Sequence, residues 1–297
     1  MTHAALDPAL KESAAFIEDA LIEALPEPEG PQARLFEAMR YATLNGGKRI
    51  RAFLLMQSGR QFGVDRRALS RAAAAVECVH AYSLVHDDLP AMDDDDLRRG
   101  KPTTHKQFDE ATAILAGDAL LTHAFTLLAG QETHPDPHVR CELVARLAQA
   151  SGSNGMVGGQ MMDIDAKGEL TDIGQITRLQ RLKTGALISF AVDAGAIMGK
   201  ASSTARHALS NYAQELGLAY QIADDLLDVE GDPVQMGKAA GKDVKAGKAT
   251  FVTILGPERA RAQAQLLADQ AAAHLEVFDE KADLLRGLAV YVVNRRA

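Results

Sequence analysis

The stretch SRAAAAVECVHAYSLVHDDLPAMDDDDLRRG, residues 70–100, decides how the rest of the chain is read. From Ser70 to His86 it carries small and apolar residues at helical spacing and runs without a break into Asp87 and Asp88. His80 and Asp87 are seven positions apart and share a helix face. Asp93 would stand about 120° off that face if the helix simply continued. Pro90 prevents this. Its ring clashes with the carbonyl four residues earlier, that of His86, so the helix is expected to kink or open and let Asp93 swing back toward Asp87.

The acids continue to Asp96 and are followed by Arg98 and Arg99. Carboxylates holding a metal and arginine forks holding oxyanion oxygens would clamp one metal-diphosphate from both sides. A solvent-exposed charged loop is the plain alternative.

The same chemistry recurs near the end of a later helical segment, in Asp224-Asp225-Leu226-Leu227-Asp228. At about 100° per residue, Gln221, Asp224, Asp225 and Asp228 fall along one face, while Ile222, Ala223, Leu226, Leu227 and Val229 are left to pack against neighbours. Converging carboxylates repel, and more strongly when water is excluded, so a cation is expected among them. Hard oxygen ligands without Cys or clustered His suit Mg²⁺, which binds through one or two carboxylates plus substrate phosphates. A solvated acidic face would explain one such cluster alone. Two clusters on facing helices could share a ligand across one cavity.

Around these clusters, apolar residues recur at helical spacing through 10–25, 33–44, 68–87, 109–129, 138–150, 173–198, 204–230 and roughly 258–294. With only 10 Pro and much Ala, Leu, Glu and Arg in 297 residues, the expected fold is all-α, a bundle around a deep central cavity. The breaks at 26–31 and 134–137 are too short for domain linkers, so one domain over residues 1–297 is expected.

The chain is 47% hydrophobic and has a formal net charge of -8, which argues against general nucleic-acid binding. Cys78 and Cys141 form neither a CxxC pair nor a disulfide framework. The N-terminal stretch mixes acids with apolar residues, unlike a signal peptide, and no charge-free stretch long enough to span a membrane is evident. A cytoplasmic protein is expected.

Cations complete an anion site. Gly46-Gly47-Lys48-Arg49-Ile50-Arg51 sets three cations behind a glycine pair without the spacing of a P-loop. Lys183 and Thr184 lie within a helical segment, and Lys238 and Lys248 follow the second acid cluster as further phosphate donors. His80 faces the Asp87 side of its helix and could donate to an anion, although a lone helical His is more often a core residue.

These residues resemble the short-chain trans-prenyl diphosphate synthases. The likeness runs from GGKRIR through ECVHAYSLVHDDLPAMDDDDLRRGKPTTH, GGQMMDID, RLKTGALISFAV and GLAYQIADDLLD to GKDVKAGKATFV, nearly the whole chain. By resemblance, Lys48, Arg51, His80 and Arg99 would hold the diphosphate of isopentenyl diphosphate. Arg98, Lys183, Thr184, Gln221 and Lys238 would serve the allylic partner, dimethylallyl or geranyl diphosphate. Asp87 and Asp93 on one side and Asp224 on the other would ligate Mg²⁺, with Asp88 and Asp228 as further ligands. A set of three ions per site is implied, with Mn²⁺ able to substitute.

Head-to-tail condensation to farnesyl diphosphate is the implied activity, with geranylgeranyl or geranyl diphosphate as alternative products. A homodimer is the implied assembly. Tyr82 as floor of the product pocket is likewise taken from the resemblance, since ideal helix geometry favours Ser83 on the Asp87 face. Gln235-Met236-Gly237-Lys238 departs slightly from the family pattern, in which a Thr-Leu pair often precedes Gly-Lys.

Three rival readings fit the residues less well. A class I terpene cyclase would carry Ser or Thr and a later Glu in its second metal motif, where this chain has Asp228. A ferritin-like di-iron bundle needs two Glu-x-x-His motifs, and only Glu77 to His80 provides one. A non-catalytic helical subunit would have no use for two acid clusters with their arginines.

Overall fold

The computed structural model describes residues 3–166, 172–230 and 250–295. Lys238 and Lys248, with the 235–237 departure, lie outside these residues. The elements run α1 (His3–Ala24), α2 (Ala33–Thr43), α3 (Ile50–Arg60), α4 (Arg66–Asp87), β1 (Leu97–Arg98), β2 (Lys101–Pro102), α5 (Thr104–Gln107), α6 (Glu110–Ala129), α7 (Pro137–Ser151) and α8 (Met156–Ala166). Next come α9 (Ile173–Gln180), a π-helical turn (Arg181–Gly185), α10 (Ala186–Met198), α11 (Ser203–Glu230), α12 (Phe251–Leu255), α13 (Pro257–His274), a 3₁₀ turn (Glu280–Ala282) and α14 (Asp283–Asn294). The all-α expectation holds. The one sheet among the described residues is the two-stranded hairpin β1–β2, with Leu97 opposite Pro102 and Arg98 opposite Lys101.

α4 is the central rod. Asp65 starts it by accepting the backbone N–H groups of Arg67 and Ala68, and Ala72 to Ala75 are fully buried, so α3 and α6 pack against it closely. α10 packs on α3, and α11 on α10 and α13. Two buried hydroxyls tie these layers: Ser58 donates to the Val192 carbonyl at 2.7 Å and Tyr212 to that of Leu285 at 2.8 Å. α6 is apolar and long enough by composition to suit a membrane span, with a mean hydropathy of 1.4. It carries Asp118 in mid-helix, and its buried residues pack against α4, α2 and α7 as a core helix would.

The sequence periodicity needs correcting in several places. α3 and α8, with the short α5 and α12, are helices that it did not mark. The expected 258–294 helix is two, parted by residues 275–282, and the 173–198 segment contains the π-helical turn. Both cysteines are unpaired: Cys141 is exposed on α7, while Cys78 is buried on α4 and burial pushes its thiol up to about 12.

Candidate active site

α4 ends where Pro90 requires. Asp88 is its C-cap, and the chain turns so that the Asp93 amide donates to the Asp87 carbonyl at 2.8 Å. Asp93 is thus brought back beside Asp87, as the sequence led one to expect. Asp88 faces elsewhere. Its side chain is 4% exposed and takes a bidentate grip from Arg98, at 2.6–2.9 Å. Expected among the metal ligands, it is committed to orienting Arg98.

The two adjacent arginines do not clamp together. Arg99 has a left-handed backbone, φ 53°, which turns its side chain away from Arg98 and against the carbonyl of Gly46. Gly47, at φ 120°, lies under that guanidinium, and a Cβ there would meet it at 2.8 Å.

Two cavities meet at this place. The first, of about 580 Å³, is walled by α4, α6 and α8 and has a largely apolar lining that includes Tyr82, Leu89, Ile114 and Met161. Asp87, Ser83, Lys183 and Thr184 border it too. The second, of about 550 Å³, is lined by Lys48, Arg51, Arg99 and Arg295, with Asp224 at its edge. Arg51 and His80 belong to both.

Like charges crowd the second cavity. Burial and the neighbouring Arg295 lower the Lys48 ammonium, and burial with Arg49 lowers Arg99. Burial, then Arg51 and Arg99, push His80 well below the usual imidazole range, so the ring is neutral at pH 7. A pocket that disfavours its own cations is made for an anion that would restore them.

On the opposite wall Lys183 sits in the π-helical turn and donates to Asp163 at 2.6 Å. Such turns are often found at functional sites. Thr184 donates to Gln221 at 3.3 Å, and Gln221 to Asp225 at 3.0 Å. Asp225 is 3% exposed and also accepts the Phe251 amide at 3.0 Å. Of the three carboxylates expected to converge, Asp225 is therefore spent on structure. Asp224 is half-exposed and contacts Arg295, whose guanidinium lies 3.9 Å over the Tyr220 ring. The Asp228 Oδ2 atom is buried with no hydrogen-bond partner among the described residues.

Sequence reasoning missed Asp163, Glu77, His86 and Arg295. Asp163 stood within the quoted GGQMMDID, but nothing local pairs it with Lys183. His86 donates to the Ile114 carbonyl at 3.0 Å and meets Tyr82 edge-on, with ring centroids 5.7 Å apart.

The carboxylates fit a cation. Burial raises Asp87 to about 6, with Lys183 opposing and Asp93 adding to the rise, and Asp228 offers a buried oxygen with no partner among the described residues. Among the described residues no three His, Cys, Asp or Glu side chains gather to hold a metal by themselves. A hard cation here would need oxygens from a bound ligand, as Mg²⁺ commonly does.

An apolar cavity edged by carboxylates and adjacent to a cation-lined one defines a helical bundle shaped for anionic head groups on apolar tails. The chain belongs to the polyprenyl synthetase family, whose model matches residues 32–286. It is 48% identical over 267 residues to farnesyl diphosphate synthase of Escherichia coli, covering 87% of this chain and 88% of that one. It is 39% identical over 287 residues to geranylgeranyl diphosphate synthase of Cyanophora paradoxa, covering 96% and 95%. The crystal structure of an FPP/GFPP synthase from Zymomonas mobilis superimposes with a TM-score of 0.88 at 50% identity, covering 98% of this chain and all of that one.

Proposed function

We propose that this chain, as a single domain, condenses isopentenyl diphosphate head to tail with dimethylallyl and then geranyl diphosphate, giving farnesyl diphosphate and free diphosphate. The observation that carries this is the pair of neighbouring cavities that share Arg51 and His80 in their linings. Lys48, Arg51, His80 and Arg99 hold the isopentenyl diphosphate. The allylic tail lies in the apolar cavity, and Lys183, Thr184, Gln221 and Arg98 attend its head group, with Lys238 and Lys248 proposed as further donors. Asp87, Asp93, Asp224 and Asp228 hold Mg²⁺, replaceable by Mn²⁺. When bound, the metal supplies positive charge that stabilises the leaving diphosphate.

The reaction breaks the allylic C–O bond, joins the isopentenyl alkene carbon to the allylic carbon, and releases a proton. Lys183, steadied by Asp163, meets charge developing on the leaving oxygens. Tyr82, Leu89, Ile114 and Met161 exclude water from the allylic cation. The cation-lined cavity orients the isopentenyl alkene toward it. Tyr82, with Ser83 nearer Asp87, limits the growing chain. Exposed Leu115 on α6 offers apolar surface for assembly as a homodimer, and the likeness to bacterial farnesyl diphosphate synthases supports a cytoplasmic location.

The test is a mass-resolved product assay with Mg²⁺ and each allylic diphosphate. Fifteen-carbon product is expected. Mostly twenty-carbon product would support the second reading, geranylgeranyl synthesis, which the Cyanophora relative favours. A cyclic hydrocarbon, or no product with every primer, would overturn the proposal.

A further inference from the structure

Glu77 lies on α4, one turn before His80, and is 2% exposed. Its two oxygens reach two different parts of α3. One accepts the Ala52 amide at 3.2 Å, and the other accepts from the Arg49 guanidinium at 3.3 Å.

The Ala52 amide is among the first N–H groups of α3, which have no partner within the helix. The local N-cap is Arg49, which makes no side-chain capping bond and has a left-handed backbone, φ 50°. A Ser, Asp or Asn would ordinarily cap there. In this chain the positions before α3 are taken by glycines and cations, and the cap comes across the interface from α4.

Arg49 itself borders the cation-lined cavity, but its side chain is 4% exposed and is taken up by protein partners. Its guanidinium also donates to Glu18 and to the Thr43 carbonyl, both at 2.7 Å. Glu77 and Arg49 thus fix the backbone of the segment that carries Lys48 on one side and Arg51 on the other. Both of those side chains line the cation-lined cavity with His80 and Arg99.

We infer that Glu77 is a positioning residue for isopentenyl diphosphate: it caps α3 and anchors Arg49, and so sets Lys48, Arg51 and His80 at the spacing the diphosphate requires. This rests on the assignment of that diphosphate to Lys48, Arg51, His80 and Arg99. Two effects of Glu77 oppose each other. Its negative charge lies near the anion and by itself weakens binding, while the order it imposes strengthens binding. The inference is that order wins.

Glu77→Gln separates them. The amide oxygen can still accept from Ala52, but the amide nitrogen meets Arg49 donor to donor. The full-length enzyme with Mg²⁺ would be assayed with each substrate varied at saturating levels of the other. The KM for isopentenyl diphosphate is expected to rise at least about tenfold, comparable to losing one charge-assisted hydrogen bond. The KM for geranyl diphosphate is expected to change less than about twofold, since Lys183 and Thr184 are held by Asp163 and Gln221.

Arg49→Lys, which keeps the charge and loses the fork, should show the same split. Arg51→Ala is the reference. If it leaves the isopentenyl KM unchanged, the substrate assignment fails. If it raises that KM while Glu77→Gln leaves it unchanged or lowers it, the positioning inference alone fails. Equal rises in both KM values, with a lowered Tm, would reduce Glu77 to a general structural part and refute the inference.

Discussion

Gly117 on α6 faces the His86 ring, and Gly117→Ala tests what limits product length. A Cβ at that position would stand 2.1 Å from the His86 Nε2 and 2.4 Å from Cδ2. An ordinary non-bonded contact is roughly 3.5 Å, so the ring must move by at least about 1 Å. It would give up its bond to the Ile114 carbonyl, worth about 0.5–1.5 kcal/mol. Alanine in a helix interior is favoured over glycine by about 0.8–1 kcal/mol, so the two terms nearly cancel and the fold should persist. The ring's way out is toward the apolar cavity, which it already lines with Tyr82. Overpacking a cavity costs about 1–3 kcal/mol, here charged against the last prenyl unit, which corresponds to about a five- to 150-fold shift toward ten-carbon product. Mass-resolved products from dimethylallyl and isopentenyl diphosphate would show it, with Tm measured alongside. A folded, active Gly117→Ala enzyme with the wild-type product ratio would show that His86 yields away from the cavity, and would refute the reasoning.

Asp87→Ala, Asp93→Ala and Asp224→Ala should each lower kcat by about 10²–10³-fold in steady-state assays, with unchanged circular dichroism; near-normal rates in all three would end the two-cluster mechanism. Tyr82→Ala should add twenty-carbon product to the mixture, and an unchanged chain length in active enzyme would place the floor elsewhere. Asp87 has a raised value of about 6, so between pH 7 and pH 5 the metal-free carboxylate takes up a proton that Mg²⁺ must displace. Apparent affinity for Mg²⁺ with diphosphate, followed by calorimetric titration, should therefore fall by about tenfold over that window beyond any fall seen in Asp87→Asn; identical slopes in the two proteins would contradict this.

How far the sequence could be read depended on whether a residue's role was local. The turn at Pro90 is a matter of one ring and one carbonyl, and it was legible. α3 was not, because nearly every residue from Ile50 to Gly59 is buried and a helix covered on all sides has no polar stripe to mark its period. α8 was hidden by Gly158 and Gly159, which read as a loop. The second acid cluster was placed on the correct helix, yet spacing alone could not tell Asp224 from Asp225, since the Phe251 amide that takes Asp225 arrives from another element. Arg98 and Arg99 looked like one clamp because they are adjacent, and the left-handed backbone at Arg99 separates them. Glu77 and Asp163 have partners that only the packed helices bring near.

The buried thiol on α4 turns the chain into its own probe of opening. Burial pushes the Cys78 thiol up to about 12, so it stays protonated at pH 7, and the surrounding core blocks access as well. A maleimide added to the folded protein should label Cys141 and spare Cys78. Any later, slower uptake at Cys78 would then time the opening of the core around α4, and substrates that stabilise the packed site would lengthen that interval.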